Sequence, residues 1–254
     1  MALQRINYGR GHGYKIDGEK VDGVTTLIGD GLPKPALTRW AAKAVAEHVA
    51  DNLDAVLGMK NMGRDAIIAA LKEAPWSAAR AGAARGTEVH TLAEKLIHGE
   101  EVEVPEHIAG HVDACVAFLD AWKVIPVITE APVGNRKWRY GGTCDFVGSL
   151  LKPGTTKSAN AIVDWKTAAS GIWPETAYQL AAYRYAEVYL EDRAEQPMAA
   201  LEIEAGYAVW LRADGYDVYP VECGEKTFKD FLHIAWVARA AKANRDLIGE
   251  AVAA

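Results

Sequence analysis

Ala161-Ile162-Val163-Asp164-Trp165-Lys166-Thr167 is the stretch that decides how this chain is read. Its apolar start predicts a buried strand, and strand side chains alternate faces, so Asp164 and Lys166 point to the same side. A buried strand that delivers a carboxylate and an amine to one spot is costly as structure alone, because buried charges need partners. The cost is explained if the carboxylate holds a metal ion and the amine handles a reacting oxygen. Taken by itself, the pair is read equally well as a surface salt bridge at a strand end.

Working outward, Tyr140-Gly141-Gly142-Thr143-Cys144-Asp145, continued by Phe146-Val147, predicts a neighbouring strand whose glycines admit a close backbone approach. A register that pairs Lys152 with Ala159 sets Asp145 opposite Lys166, with Asp164 as its diagonal neighbour. Asp145, Asp164 and the backbone carbonyl of Trp165 are then hard oxygen ligands suited to Mg²⁺ or Mn²⁺. Lys166 orients or helps to deprotonate a water and stabilises charge on a phosphorane-like transition state. Gln179 and Tyr183 share one face of the next helix, where an amide and a phenol brace the lysine or contact a DNA phosphate. His90 shares a helix face with Glu94. That pair suits zinc, but neither an HExxH motif nor a third ligand accompanies it. Glu130, mid-strand, is either an acid behind the metal ligands or a solvent-facing residue.

Periodicity fills in the frame. A hairpin is predicted over residues 8–30, with Val24-Thr25-Thr26-Leu27 in its second strand. Helices are predicted over 36–57, 64–72, 85–98 and 106–122, and strands over 124–133, 138–151 and 161–165. A helix over 174–190, a hairpin around Ala213-Asp214-Gly215 and a helix over 226–247 follow. The expected fold class is α/β (α+β), a mixed sheet flanked by helices in one domain. Residues 1–122 would be mainly helical and carry His90, and 123–254 would form the sheet core.

Composition sets bounds on this reading. The chain has 254 residues, a net charge of −6 and three cysteines, none in a Cys-x-x-Cys pair. The negative charge argues against a protein that coats polyanions nonspecifically, though a local basic surface is not excluded. The cysteine spacing supports neither a zinc site nor an iron–sulfur cluster. No apolar run is long enough to span a bilayer and the N-terminus lacks an apolar signal core, so a cytoplasmic, membrane-free protein is expected.

The ordered set His90, Glu130, Gly142-Thr143-Cys144-Asp145, Asp164-Trp165-Lys166 and Gln179-x-x-x-Tyr183 resembles the RecB-type branch of the PD-(D/E)xK nucleases. Val24–Ile28 and Leu37–Lys43 are similar to the front end of its phage members. The resemblance implies a PD-(D/E)xK, restriction-endonuclease-like core and a Mg²⁺- or Mn²⁺-dependent exonuclease. Asp145, Asp164 and His90 would be metal ligands, Lys166 the catalytic lysine, and Gln179 and Tyr183 its supporting pair. The iron–sulfur cysteines of several relatives are absent. DNA, single-stranded or at ends, is the expected partner, alongside other recombination or replication proteins. Arg80, Arg85, Arg136, Lys137, Trp138, Arg139 and Arg184 are the candidate DNA contacts, with Arg136–Arg139 interleaving cations and an aromatic ring as a single strand requires. Ordinary solvated charges at a hairpin tip account equally well for that segment. Rival readings are a double-strand resecting exonuclease, a flap endonuclease, a zinc hydrolase using His90 and Glu94, and an inactive DNA-binding protein on a nuclease fold.

Overall fold

A computed structural model describes residues 2–9, 11–244, 247–250 and 252, with the side chains of 77–79 and 81–83 left aside. The chain divides into two compact units, residues 1–32 with 89–254, and residues 33–88.

The larger unit is built on a ten-stranded mixed sheet. Its strands are β1 (Gln4–Tyr8), β2 (Gly11–Ile16), β3 (Glu19–Gly23), β4 (Ile125–Asn135), β5 (Tyr140–Leu150) and β6 (Ala159–Lys166). They continue with β7 (Val188–Glu191), β8 (Ala194–Pro197), β9 (Ala205–Arg212) and β10 (Gly215–Pro220). β3 runs parallel to β5 and β6 runs parallel to β9, and the remaining pairings are antiparallel.

β5 organises everything that follows. β4 lies along one of its edges from Tyr140 to Ser149. The other edge is divided, with β3 pairing Tyr140 and Gly141 and β6 pairing Phe146 to Leu150. Between these pairings residues 142–145 face a gap in the sheet, so Thr143 and Asp145 sit where backbone partners are missing.

Helices cover both faces. On one, α1 (Val24–Gly31), α6 (Glu175–Arg184) and α7 (Glu225–Ala243) bury Leu27, Leu180 and Phe231 against Val147 and Ile162. On the other, α5 (Ala109–Ala121) and the end of α4 (Arg64–Ile97) bury Phe118, Val89 and Ala93 against Phe146, Val163 and Trp165. Each such side chain contributes about 1.5–3 kcal/mol by leaving water.

The smaller unit consists of α2 (Pro35–Asp51), α3 (Leu53–Gly58) and the first part of α4. Trp40 and Trp76 meet edge to face at 6.3 Å.

Several elements depart from the periodicity. The helices predicted over 64–72 and 85–98 are one helix, α4, with Pro75 inside it. The alanine-rich stretch between them has helix propensity high enough to outweigh one proline. Val24–Leu27 begins a helix, because all of Val24, Leu27 and Ile28 fall on one buried face. The helix predicted to Leu190 stops at Arg184, and β7 and β8 follow as a hairpin. Its turn uses Asp192 and Arg193 at φ 48° and 66°, a left-handed pair without the glycine that normally marks it. The N-terminal part is also less helical than expected, since β1 to β3 precede its first helix.

Candidate metal-binding site

The β5–β6 register pairs Leu150 with Ala159 and Phe146 with Val163. This differs by two residues from the expected pairing of Lys152 with Ala159. Lys152 lies in the connecting loop, where its carbonyl accepts from Thr155 N at 3.0 Å. Extended by one step, the observed register brings Asp145 level with Asp164 rather than with Lys166. Beyond Phe146 the ladder ends and a side chain replaces it, Trp165 N donating to Asp145 Oδ2 at 3.1 Å.

His90, on α4, enters from the other side. One ring nitrogen, Nε2, lies 3.1 Å from the Trp165 carbonyl oxygen, so the imidazole donates there. That bond sets the tautomer and leaves Nδ1 as a lone pair. Nδ1 lies 3.6 Å from Asp145 Oδ2 and 4.0 Å from Glu130 Oε1. His90, Glu130 and Asp145 each turn one ligand atom into a common space no more than 4.8 Å across. Glu130 is thus in the centre of the cluster, not behind it. Its backbone has φ 44°, and the β4–β5 pairing passes from Thr129↔Phe146 to Ala131↔Cys144 around it. A left-handed glutamate within a strand is strained and belongs to a site that uses its altered direction.

Asp164 has different company. Gln179 Nε2 donates to Asp164 Oδ1 at 2.8 Å. Oδ2 is buried and has the Lys166 ammonium at 2.5 Å as an ion-pair partner, with no hydrogen bond to any described residue. Gln179 therefore braces the acid rather than the lysine. Tyr183 is buried in the core, where its ring fills the space a Cβ on Gly142 would need. It packs against β5 and is not placed to meet a DNA phosphate. Gly141 is approached in the same way, by Tyr14. The Trp165 carbonyl, expected among the metal ligands, is engaged by His90. Glu94 is not a member of that cluster, though its charge acts on Glu130.

The electrostatics match this division. Burial, then the charges of Asp164 and Glu130, push Asp145 well above the usual carboxylate range. Burial and then Glu94 raise Glu130. Burial holds the His90 imidazole low, so it is neutral and able to offer a lone pair. For Lys166, burial pulls downward, but the Asp164 and Asp145 carboxylates outweigh it and the net shift is upward. The surrounding acids thus favour the charged form of Lys166. Two partly buried carboxyls whose pKa values are raised, beside an imidazole whose pKa is lowered, form a cluster short of positive charge. The two carboxylates and the free Nδ1 fit a divalent ion such as Mg²⁺ or Mn²⁺.

No protein-family model matches this chain. No curated protein matches it either. Among solved structures, one match is the chain described as the crystal structure of SSO0001, at 14% identity and a TM-score of 0.28. It covers 58% of this chain and 63% of that one, so this chain spans less than two thirds of its length. No helix among the described residues is long and apolar enough to cross a membrane.

The basic residues singled out for DNA are mostly engaged. Arg136 grips both oxygens of Glu195 at 2.7 Å and reaches Asp17 at 3.3 Å. Arg139 pairs with Glu19 at 2.5 Å. The Lys137 ammonium lies 5.1 Å from the Trp138 ring centroid, and the Arg184 guanidinium 5.8 Å from that of Tyr185. Arg80 pairs with Glu73 at 2.9 Å in the smaller unit, to which Arg85 also belongs. Arg136–Arg139 is the β4–β5 turn. Its arginines tie the turn to Asp17, Glu19 and Glu195, all distant in sequence.

Proposed function

We propose that the protein is a Mg²⁺- or Mn²⁺-dependent deoxyribonuclease of the RecB-type PD-(D/E)xK kind, an exonuclease acting on DNA ends with a preference for single strands. The observation that carries this reading is the convergence of His90 Nδ1, Glu130 and Asp145 beside the Lys166–Asp164–Gln179 chain. The same residues, in the same order, carry the family resemblance. His90, Glu130 and Asp145 would hold a divalent ion, which would supply Lewis-acid activation of water and of a phosphate oxygen.

The remaining roles belong to the chain. His90 is held in its ligating tautomer by the Trp165 carbonyl. Asp145 is fixed by Trp165 N, and Asp164 by Gln179. Lys166, kept charged by the acids around it, offers an ammonium to the negative charge that builds on the phosphate in the transition state. Three buried free cysteines suit a reducing compartment, the cytoplasm.

The test is a time course on end-labelled linear DNA, single- and double-stranded, beside a circular control, with Mg²⁺, Mn²⁺ or Zn²⁺. Loss of label from linear DNA only, with Mg²⁺ or Mn²⁺ and not in Lys166→Ala, is the expected result. Cutting of the circle moves the reading to an endonuclease, and DNA binding without cleavage moves it to the inactive relative.

A further inference from the structure

A pocket of about 550 Å³ carries three aromatic side chains, Trp173, Trp210 and Tyr219, in its wall, and the sheet register ties it to Asp164 and Lys166. Trp210 pairs in register with Lys166 across the parallel β6–β9 contact, and Ala208 pairs with Asp164. Tyr219 pairs with Ala208 from β10. Register partners face the same side of a sheet, so Trp210 and Tyr219 extend the face that carries the acid and the lysine. Trp173 closes the pocket from the loop between Lys166 and α6. Thr176, on its inner wall, lies three residues before Gln179 on α6, one turn from the amide that holds Asp164.

The rings are held by their edges. Trp173 Nε1 donates to Ser170 Oγ at 3.0 Å and Trp210 Nε1 donates to the Ala168 carbonyl at 2.9 Å. Arg212 lies against the Trp210 ring at 4.4 Å. Among the described residues neither Trp173 nor Tyr219 stacks on another ring, and they are 51% and 42% exposed. The lining holds no lysine or arginine and one carboxylate, Glu222. The lining thus offers no cation of its own to a phosphate, whereas the flat, uncharged face of a base is well matched to the exposed indole and phenol.

We infer that this pocket stacks one unpaired nucleobase of the strand whose phosphodiester lies at the carboxylate site, making it the subsite that favours single strands. The inference rests on the nuclease reading for the strand's position. A paired base keeps its face against its neighbours and cannot enter, so duplex DNA gains nothing from the pocket.

The experiment measures binding of labelled single-stranded oligonucleotides in Ca²⁺, and cleavage in Mn²⁺, with a single abasic nucleotide moved along the strand. Wild type, Trp173→Ala, Tyr219→Ala and Trp173→Phe are compared. Removing a stacked base or its ring is expected to weaken binding roughly 5- to 100-fold. The abasic penalty should appear at one position relative to the cut, vanish in Trp173→Ala, and return in Trp173→Phe. Blunt duplex binding should not change. A flat abasic scan, or an unchanged penalty in Trp173→Ala, overturns the pocket while leaving the nuclease in place if wild type cuts. Binding without cutting overturns the nuclease reading, and the abasic comparison still decides the pocket. Neither binding nor cutting by wild type overturns both. Should Trp173→Ala fail to fold by thermal melting, Tyr219→Ala and Trp173→Phe decide.

Discussion

Two aspartates stand level on adjacent strands, yet their surroundings are opposite in kind. Asp164 is neutralised from within by the Lys166 ammonium and held by the Gln179 amide. Asp145 has a backbone N–H, a neutral imidazole and a second acid, Glu130, and burial keeps its pKa well above the ordinary range. The first half of the site is complete as folded. The second is one that only an added cation completes. On the proposed function, the difference separates positioning from ligation: a metal ion would sit with Asp145, and the positive charge offered to the transition state with Asp164.

The comparison breaks most sharply in catalysis. Lys166→Ala should lower the cleavage rate by roughly 10²- to 10³-fold with Mn²⁺ affinity nearly intact, since it removes a charge-stabilising donor. Asp145→Asn should also abolish cleavage, but by removing Mn²⁺ binding. Titration calorimetry beside single-turnover rates separates the two, and equal loss of metal by both variants would erase the distinction.

Stability should move in opposite directions. Asp164→Asn leaves the Lys166 ammonium largely buried without its counter-charge, a loss on the order of 2–4 kcal/mol. Asp145→Asn keeps an oxygen for Trp165 N while removing a carboxylate that is costly to ionise, so the metal-free protein should melt higher at neutral pH. Thermal melts in EDTA read both signs, and a lowered melting temperature for Asp145→Asn would count against the electrostatic account.

The pH dependence follows from the raised carboxyls. Asp145 and Glu130 are raised in the fold, so the folded state holds protons that the unfolded chain has lost. Their stabilising contribution is full below the unfolded carboxylate values and is lost as pH climbs through the folded ones. The metal-free protein should therefore lose stability as pH rises from about 4 toward neutrality. Saturating Mn²⁺ should remove that slope and raise stability by about 2.7 kcal/mol at a hundredfold excess over Kd. Melts with and without Mn²⁺ across pH check this, with Asp145→Asn expected to show a smaller slope.

The smallest expected effect concerns the brace. Gln179→Ala should lower activity about 10- to 100-fold, as loss of groups that orient a site's acids does. Restoration by Gln179→Asn is not expected, because the shorter amide falls short of Asp164 Oδ1.

Much of this site was legible before any coordinates. Alternation in Ala161–Lys166 placed Asp164 and Lys166 together, because a strand offers only two faces. Gly141 and Gly142 announced a close approach, and Tyr14 and Tyr183 make it. The strands flanking the site and α7 emerged from periodicity within a few residues. The β7–β8 hairpin did not, because its turn residues, Asp192 and Arg193, carry no glycine. The ion pairs of Arg136 and Arg139 with Glu195, Asp17 and Glu19 were not legible, because a sequence shows charges and not their partners.

The sequence by itself determined that this chain is a mixed α/β protein and marked His90, Asp145, Asp164, Lys166 and Gln179 as candidates for its chemistry, since residue type and local period are properties of a single segment. Tertiary structure alone decided which of them act together. The β5–β6 register, the split edge of β5 and the left-handed backbone of Glu130 are set by contacts between segments far apart in the chain. Those contacts give Asp145 to the imidazole and Glu130, and Asp164 to the lysine.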